Sequence, residues 1–589
     1  VQAPEAARKE NFAAWRAFLE SLAEQVPSVF VFEDLHWADD ALLGFLEHLA
    51  DYAEGLPILV VGTARPELFE KAPGFAQAAR NSNRINLSPL TETETAKLVS
   101  NLLEQTVLPS EVQTAILARS GGNPLYAEEF VRLLKDRDIL RKKGPTWTLD
   151  PTAEIPMPSG VQSLIAARLD TLSADRKRLL QDAAVVGKVF WSGAVSQMGE
   201  RDPKDVGEAL HELSRKELVR PVRTSSMEGQ SEYAFFHTLV RDVCYAQIPR
   251  AQRAERHRRA ATWIEEVAAD RVEDHAEILA AHYSTALELA AASKAPEATE
   301  LSSKALGYLT LAGDRALGID VAAAERHYAR ALELTAEGQV ERPRILARLG
   351  EALRQRGRSP EAAGASEEAI EGFRAQGDIR AMAAAMGRYC IVLVRLGDPR
   401  SREITAEAVA TLEALGPSPE LAQALADAAG QSFLSEAHGE AIALADRAIS
   451  LASELGLPEP ARALGFRGGA RASLGDAGGL NDMRRALETA ADEGLGREVA
   501  LLHYNLAEAL WPIEGAGTRL ESFREGAAFA ERRGIEEVVL SCAAGIMDAL
   551  VDAGSFDEAM AVAEDSMPRM EETADAFDLV LARSAKVRV

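Results

Sequence analysis

A run of four β-forming apolar residues, Val29-Phe30-Val31-Phe32, ends in two adjacent carboxylates, Glu33 and Asp34. A buried parallel strand reads as a continuous apolar run, and its carboxyl end opens into the crevice where ligands bind. Of two acids at such an edge, one can hold the Mg²⁺ of a nucleotide and the next can polarise an attacking water. A second apolar run, residues 58–62, leads into Thr63-Ala64-Arg65-Pro66-Glu67. If the two runs are parallel neighbours, Arg65 lies at the same crevice and can pair with a terminal phosphate in bidentate fashion. A glycine-rich cradle for that phosphate is missing. The pattern G-x-x-x-x-G-K-[ST] occurs nowhere in the 589 residues; Gly187-Lys188 is followed by Val189, with Asp182 where the first glycine should stand.

The elements that must position these groups alternate strand and helix. Phe12, Trp15, Leu19 and Leu22 fall at helical spacing over residues 1–26, and Pro27 ends that helix. Residues 41–52 read as the crossover helix and residues 84–87 as a short third strand. The alternation implies right-handed crossovers and a parallel sheet. From Thr91 the pattern is helical, with capping boxes at Thr91–Glu94 and at residues 110–113. Gly121-Gly122-Asn123-Pro124-Leu125 then opens a helix through Leu134, the glycines permitting close backbone approach and Pro124 fixing the turn.

In this order and spacing, residues 29–134 resemble the C-terminal half of a STAND-type (AAA-related) regulatory ATPase, a partial P-loop NTPase with a helical lid. The resemblance makes Glu33 and Asp34 Walker B acids, catalytic and Mg²⁺-holding. It makes Thr63 and Arg65 a sensor of the γ-phosphate, and Asn123 and Pro124 the lid turn that packs on adenine. ATP or ADP with Mg²⁺ is the cofactor implied for the intact parent. Glu in place of Asp at the first acid lengthens the reach to metal by one carbon.

Bulk properties bound the rest. The chain carries 65 Lys+Arg against 91 Asp+Glu, a net charge of -26, which argues against a general nucleic-acid or anionic-membrane surface. Cys244, Cys390 and Cys542 lie far apart with neither metal-ligand nor redox spacing, as expected of reduced thiols in a cytoplasmic protein. No apolar run approaches the roughly 18 residues of a membrane helix. Val1 is not Met, and both ends are expected to be cut from a longer polypeptide.

Residues 1–150 are thus read as the ATPase half with its lid, and a Pro-rich connector over 151–158 starts the next region. Helices at 161–172, 174–185 and 205–212, then strands at 218–222 and 233–236, give the order of a winged helix over 151–255. Residues 151–250 carry thirteen Lys+Arg and thirteen Asp+Glu, a net charge of zero where a DNA reader should carry a basic face, so a structural role is expected. Phe235-Phe236-His237 resembles a STAND segment in which His237 would sense a β-phosphate; packing at a strand end or capping the next helix is the competing role. Arg250, Arg253, Arg256, Arg258 and Arg259 crowd one helix, and a solvated or internally paired face accounts for them.

Residues 256–319 form a helical bridge. From residue 320 to 589 the chain repeats: Gly338, Gly377, Gly416, Gly456, Gly494 and Gly534 each close an Ala/Leu/Glu-rich helix, at intervals of 38 to 40. A fixed period with paired helices is an α-solenoid. Leu349-Gly350, Gly357, Glu361-Ala362 and Ala369 resemble a tetratricopeptide unit of extended length, which implies a protein or peptide partner. The segment 236–266, with Val240-Arg241-Asp242-Val243 and His257-Arg258-Arg259-Ala260-Ala261, resembles class III adenylate/guanylate cyclases, in which a cyclase domain precedes the ATPase. The rival is a LuxR-type transcriptional regulator. A non-enzymatic protein-binding scaffold is the third reading. No cyclase active-site residue is present, and without a phosphate cradle the chain alone is expected to be inactive.

Overall fold

The computed structural model describes residues 15–16, 18–23, 26–38, 40–52, 57–72, 75, 83–103, 120, 122–143, 146–149, 160–292, 296–514, 516–573 and 576–588. The chain divides into two compact units, residues 1–84 with 309–589, and residues 85–308. Among the described residues no helix is long and apolar enough to cross a membrane.

In the first unit, β1 (Ser28–Phe32) and β2 (Ile58–Gly62) pair in parallel, from Ser28 opposite Ile58 to Phe32 opposite Gly62. The helix α1 (Asp40–Tyr52) connects them, and a short α2 (Glu67–Lys71) follows. Leu43, Leu46 and Leu49 recur at helical spacing and are buried; Leu35, Leu43, Leu46 and Leu68 form a small core with Phe32 and Val60 packed against it. Strand side chains alternate between faces, and only one face is covered. Val29, Val31 and Leu59 stand 61%, 58% and 56% exposed, which corrects the expectation of strands buried on both sides. The expected strand at 84–87 is also corrected. That stretch is irregular backbone with Ile85 and Leu87 exposed; among the described residues no strand pairs with it to form a ladder.

In the second unit α3 (Glu92–Leu102) opens on the anticipated capping box. The Glu94 N–H donates to Thr91 Oγ1 (3.2 Å) and the Thr91 N–H donates to Glu94 Oε2 (2.9 Å). The box at 110–113 lies outside the described residues. Next come α4 (Pro124–Asp136), an antiparallel hairpin of β3 (Leu140–Lys143) and β4 (Thr146–Leu149), α5 (Val161–Leu169) and α6 (Ala174–Val186). Then follow β5 (Val189–Trp191), α7 (Ser192–Met198), α8 (Pro203–Arg215), β6 (Val219–Pro221) and β7 (Glu232–Phe235); the three strands form an antiparallel sheet in the order β5-β7-β6. The sequence reading missed β5 and α7, three and seven residues long, too short to show a period. After them run α9 (Thr238–Ala246), α10 (Arg250–Ala268), a 3₁₀ segment (Ala269–His275) and α11 (Ala276–Ala292).

A buried guanidinium knits this unit together. Arg168 on α5, 1% exposed, meets Glu129 Oε2 (2.6 Å) and Asp136 Oδ2 (3.0 Å) on α4, and donates to the Lys216 carbonyl (2.7 Å) just after α8. Buried charge is retained where it is paired on every side.

After α12 (Ala298–Ala316), helices alternate to the end of the chain: α13 (Val321–Glu333), α14 (Arg342–Gln355), α15 (Ser359–Gln376), α16 (Ile379–Arg395), α17 (Ser401–Ala414), α18 (Pro419–Leu434), α19 (His438–Glu454), α20 (Ala461–Ser473), α21 (Gly478–Asp492), α22 (Gly496–Glu514), α23 (Ala516–Glu531), α24 (Glu536–Asp552), α25 (Phe556–Glu572) and α26 (Ala576–Arg588). Each packs on the next. Alanine stripes such as Ala441, Ala445, Ala448 and Ala452 let the axes approach closely. All six glycines of the repeat series adopt positive φ, between 66° and 90°. A residue in this left-handed conformation ends a helix and satisfies its last carbonyls, and glycine does so without a Cβ penalty.

A second series lies between them and was not read from the sequence: Gly357, Gly397, Gly475 and Gly554 also have positive φ. Glu436 (φ 60°) stands at the matching place between Gly397 and Gly475. A non-glycine residue there costs roughly 1–2 kcal/mol. Glu436→Gly is therefore expected to raise the stability of this turn by about 1 kcal/mol, as a small upward shift in the urea midpoint; a fall would place a needed contact on the Glu436 side chain.

Candidate functional site

The two strand ends are locked to one another. The Thr63 N–H donates to the Phe32 carbonyl (2.9 Å) and the Leu35 N–H donates to the Thr63 carbonyl (2.9 Å). The Asp34 N–H donates to Thr63 Oγ1 (3.2 Å). Asp34 adopts φ 60°, ψ 39°, a left-handed conformation that Asp tolerates better than most residues, and the chain turns into a 3₁₀ segment at Leu35–Trp37. Gly62 makes room for that turn, since a Cβ there would lie 2.7 Å from Leu35 Cδ1. Glu33, Asp34, Thr63 and Arg65 therefore share one sheet edge, and all four are exposed.

Two adjacent carboxylates suffice for Mg²⁺ when phosphate oxygens and water complete its shell, so the donor set fits the metal of a nucleotide. Among the described residues no group of three or more His, Cys, Asp or Glu side chains converges to hold a metal without such help. The N–H groups of Asp34 and Leu35 at this edge are already donated to Thr63.

The turn before α4 and His237 belong to the second unit. Gly122 takes φ 76°, and a Cβ on it would lie 2.4 Å from the Leu90 carbonyl oxygen, so only glycine fits. Asn123 caps α4: its Oδ1 accepts from the N–H groups of Leu125 (3.0 Å) and Tyr126 (3.4 Å), and Pro124 takes the first helical position. Both residues are exposed. His237 precedes α9 with extended backbone and makes no capping bond, so the capping role is not the one it has. Its Nε2 is buried without a hydrogen-bond partner among the described residues, and the Phe236 ring meets it edge-on at 5.1 Å. Burial lowers its pKa, and the fields of Glu129 and Arg132 on α4 oppose each other there.

The basic helix is internally paired, as anticipated. Arg256 holds Asp182 (2.9 Å), Arg258 and Arg259 hold Glu255 (2.7 and 2.8 Å), and Arg253 donates to the Ile248 carbonyl (2.8 Å). Sequence reasoning missed what lies on its other side. Tyr245 Oη is 2.9 Å from His257 Nε2, and His257 Nδ1 is 2.9 Å from His282 Nδ1. Burial, with Arg241 nearby, pushes His257 down to about 3 and His282 down to about 4. Two neutral rings satisfy this chain, one N–H donating to the other's bare nitrogen. The cysteines are free and buried; burial pushes the Cys244 and Cys390 thiols up to about 12, so none is a ready nucleophile.

The sequence reading also missed an ionic cluster on the solenoid's alternate helices. Glu537, 2% exposed, faces three guanidiniums: Arg497 (3.0 Å), Arg395 (3.3 Å) and Arg354. Arg395 also reaches Asp578 (2.8 Å), and Arg462 reaches Asp427 (2.7 Å) and Glu498 (3.3 Å). The sequence signal was present: these arginines interrupt apolar stripes at inward-facing positions.

No family model matches the chain. An uncharacterized protein of Rhizobium meliloti (strain 1021) is 27% identical over 266 residues, covering 44% of this chain and 24% of that protein. Adenylate cyclase type 10 of Rattus norvegicus is 22% identical over 226 residues, covering 31% of this chain and 14% of that enzyme. The chain thus spans about a quarter or less of the curated relatives it matches. Among solved structures, a Signal Transduction ATPase with Numerous Domains (STAND) protein with a tetratricopeptide repeat sensor, from Pyrococcus horikoshii, aligns with a TM-score of 0.53 at 14% identity, over 99% of this chain and 80% of that one. The chain is similar in fold to that STAND protein.

Proposed function

We propose that this chain is the regulatory ATPase and repeat region of an ATP-dependent STAND signal-transduction protein. The observation that carries the reading is the shared edge of Glu33, Asp34, Thr63 and Arg65 across a parallel β1–β2 pair. Its modules are a partial P-loop ATPase and lid (1–150), a winged helix (151–255), a helical bridge (256–319) and a tetratricopeptide-like solenoid (320–589). The helix–helix–strand–helix–helix–hairpin order of the second unit supports the winged helix. Its balanced charge gives it a structural rather than a DNA-reading role.

In this reading Glu33 and Asp34 would hold Mg²⁺ and orient water, Thr63 and Arg65 would meet the terminal phosphate, and Asn123, Pro124 and His237 are further nucleotide-binding candidates. Mg²⁺ supplies charge neutralisation between phosphates. A protein or peptide signal acts through the solenoid and shifts the balance between ADP- and ATP-bound forms. A class III adenylate/guanylate cyclase is the preferred parent, supported by the likeness to adenylate cyclase type 10; a LuxR-type regulator is the alternative. The protein acts in the cytoplasm. A non-enzymatic scaffold is favoured by one observation, the commitment of the Asp34 and Leu35 amides to Thr63.

Calorimetric titration of these 589 residues with Mg-ATP should show no binding in the micromolar range, because the phosphate cradle is absent. Micromolar affinity would overturn that. DNA upstream of the Val1 codon should encode G-x-x-x-x-G-K-[ST] within roughly a hundred residues, a loop plus strand being about that far from its partner acids in a βαβ-built sheet. In the polypeptide that carries it, Asp34→Asn should slow turnover by on the order of a hundredfold while sparing nucleotide affinity. Equal loss of both would remove Asp34 from the site.

A further inference from the structure

We propose that the cleft bounded by α6, the α7–α8 turn and α10 binds a small zwitterion of the amino-acid class, its carboxylate on Arg201 and Arg256 and its ammonium on Asp205 and Glu208. The site lies wholly in the second unit, and the proposal stands whether or not the chain binds a nucleotide.

The cleft has a volume of about 830 Å³, inside the roughly 300–1,000 Å³ span of ligand pockets. Its floor carries one carboxylate for two guanidiniums. Asp182 on α6 is 5% exposed; Arg201 Nη2 meets its Oδ2 (2.8 Å) and Arg256 Nη1 faces its Oδ1 (2.9 Å). Neither arginine has a second acid among the described residues. Arg201 otherwise donates to the Val195 carbonyl (3.0 Å), and Arg256 to the side-chain carbonyls of Gln181 and Gln252, at 3.4 and 3.5 Å. Arg256 Nη1 is buried and makes no aligned hydrogen bond among the described residues. Burial, with the fields of Arg201, Arg178 and Arg259, lowers the Arg256 pKa despite Asp182. The floor thus holds one surplus positive charge. A buried charge without its partner is costly, so the floor favours an anion.

The rest of the basic wall is matched. Arg178 pairs with Asp175, Arg176 with Glu212, and Arg259 with Glu255 and Glu200. The acids of α8 are not. Asp205 and Glu208, one turn apart, line the cleft, are exposed, and have no ion-pair partner among the described residues. A positive floor and a negative side therefore border one space. A purely anionic occupant would meet the α8 carboxylates, and a polyamine would meet the guanidiniums. An apolar one would find little wall, since Leu179 and Met198 are 2% and 4% exposed. A molecule with a carboxylate at one end and an ammonium at the other satisfies both sides, and guanidinium forks suit a carboxylate.

The test is thermal denaturation of the full 589-residue chain with the free proteinogenic amino acids and with unblocked dipeptides, followed by calorimetry on the probe that gives the largest upward shift. At least one zwitterion should bind, and its N-acetylated and C-amidated forms should each bind at least about tenfold more weakly. Asp205→Asn with Glu208→Gln, at exposed positions that leave folding intact, should remove the effect of acetylation and keep that of amidation. Arg256→Gln should remove the effect of amidation. It should also leave the ligand-free midpoint unchanged or higher, because Asp182 keeps Arg201. No shift with any probe, undiminished binding of either blocked form, equally tight binding of acetate or inorganic phosphate, or a lowered ligand-free midpoint in Arg256→Gln would overturn the site.

Discussion

Glu537→Gln is expected to destabilise the solenoid by about 3–5 kcal/mol, the usual result of removing one partner from a buried ionic group. The substitution keeps the shape of the side chain and deletes its charge, so Arg354, Arg395 and Arg497 lose the carboxylate they share and keep only Glu351, Asp578 and Glu498. Those arginines hold the Glu537 carboxyl far below the usual carboxylate range despite its burial. A group with a depressed folded pKa stabilises above its unfolded pKa, here 4.5, and that stability is lost as pH falls below it. Urea unfolding followed by circular dichroism at neutral pH reads the effect, with the slope unchanged. A loss under about 1 kcal/mol would show that the guanidiniums reach water without Glu537, as exposed pairs do. At pH 3 the gap between variant and wild type should narrow.

The second large effect lies in the other unit and at a different pH. Folding holds His257 near 3 and His282 near 4, both below the ordinary 6.5. Protons then bind the unfolded chain more readily, so stability is complete above pH 6.5 and falls as pH drops toward 4. At pH 5 the expected loss is about 2 kcal/mol for each histidine. Hydrogen exchange along α10 and α11 between pH 7 and 5 measures it directly. His282→Phe should remove about half of this loss, His257 keeping its share, while leaving the carboxylate-driven loss below 4.5 in place. A profile unchanged by that substitution would mean that the imidazoles already reach solvent. The charges of Arg241 and Arg253, which face the pair, reinforce the direction.

Much of the architecture could be read from residue types alone, where local chemistry decides conformation. Gly416 and its companions announce helix ends because φ 90° is open to glycine and closed to most residues. Thr91 and Glu94 announce a helix start because two side chains satisfy two orphan N–H groups. That Arg65 ends at the same edge as Glu33 and Asp34 followed from two apolar runs being parallel neighbours. Residues 84–87 misled because Ile85 and Leu87 alternate as a strand would, yet a strand exists only if another lies beside it, and pairing is not a local property. His257 and His282 are 25 positions apart on different helices; no periodicity links them, and only the packing of α10 on α11 brings them together. Glu436 was invisible for a different reason, a turn residue without the side chain that marks turns.

An open array of helical pairs can grow one unit at a time, since each meets only its neighbours. This one cannot finish that way. The Arg354–Glu537 and Arg395–Asp578 pairs each join residues 183 positions apart. During synthesis the early arginines emerge roughly 10–40 s before the acids that neutralise them, at ordinary elongation rates. For that interval the nascent array stays unsealed and its inner wall wet, so its halves must wait for the last helix before they close.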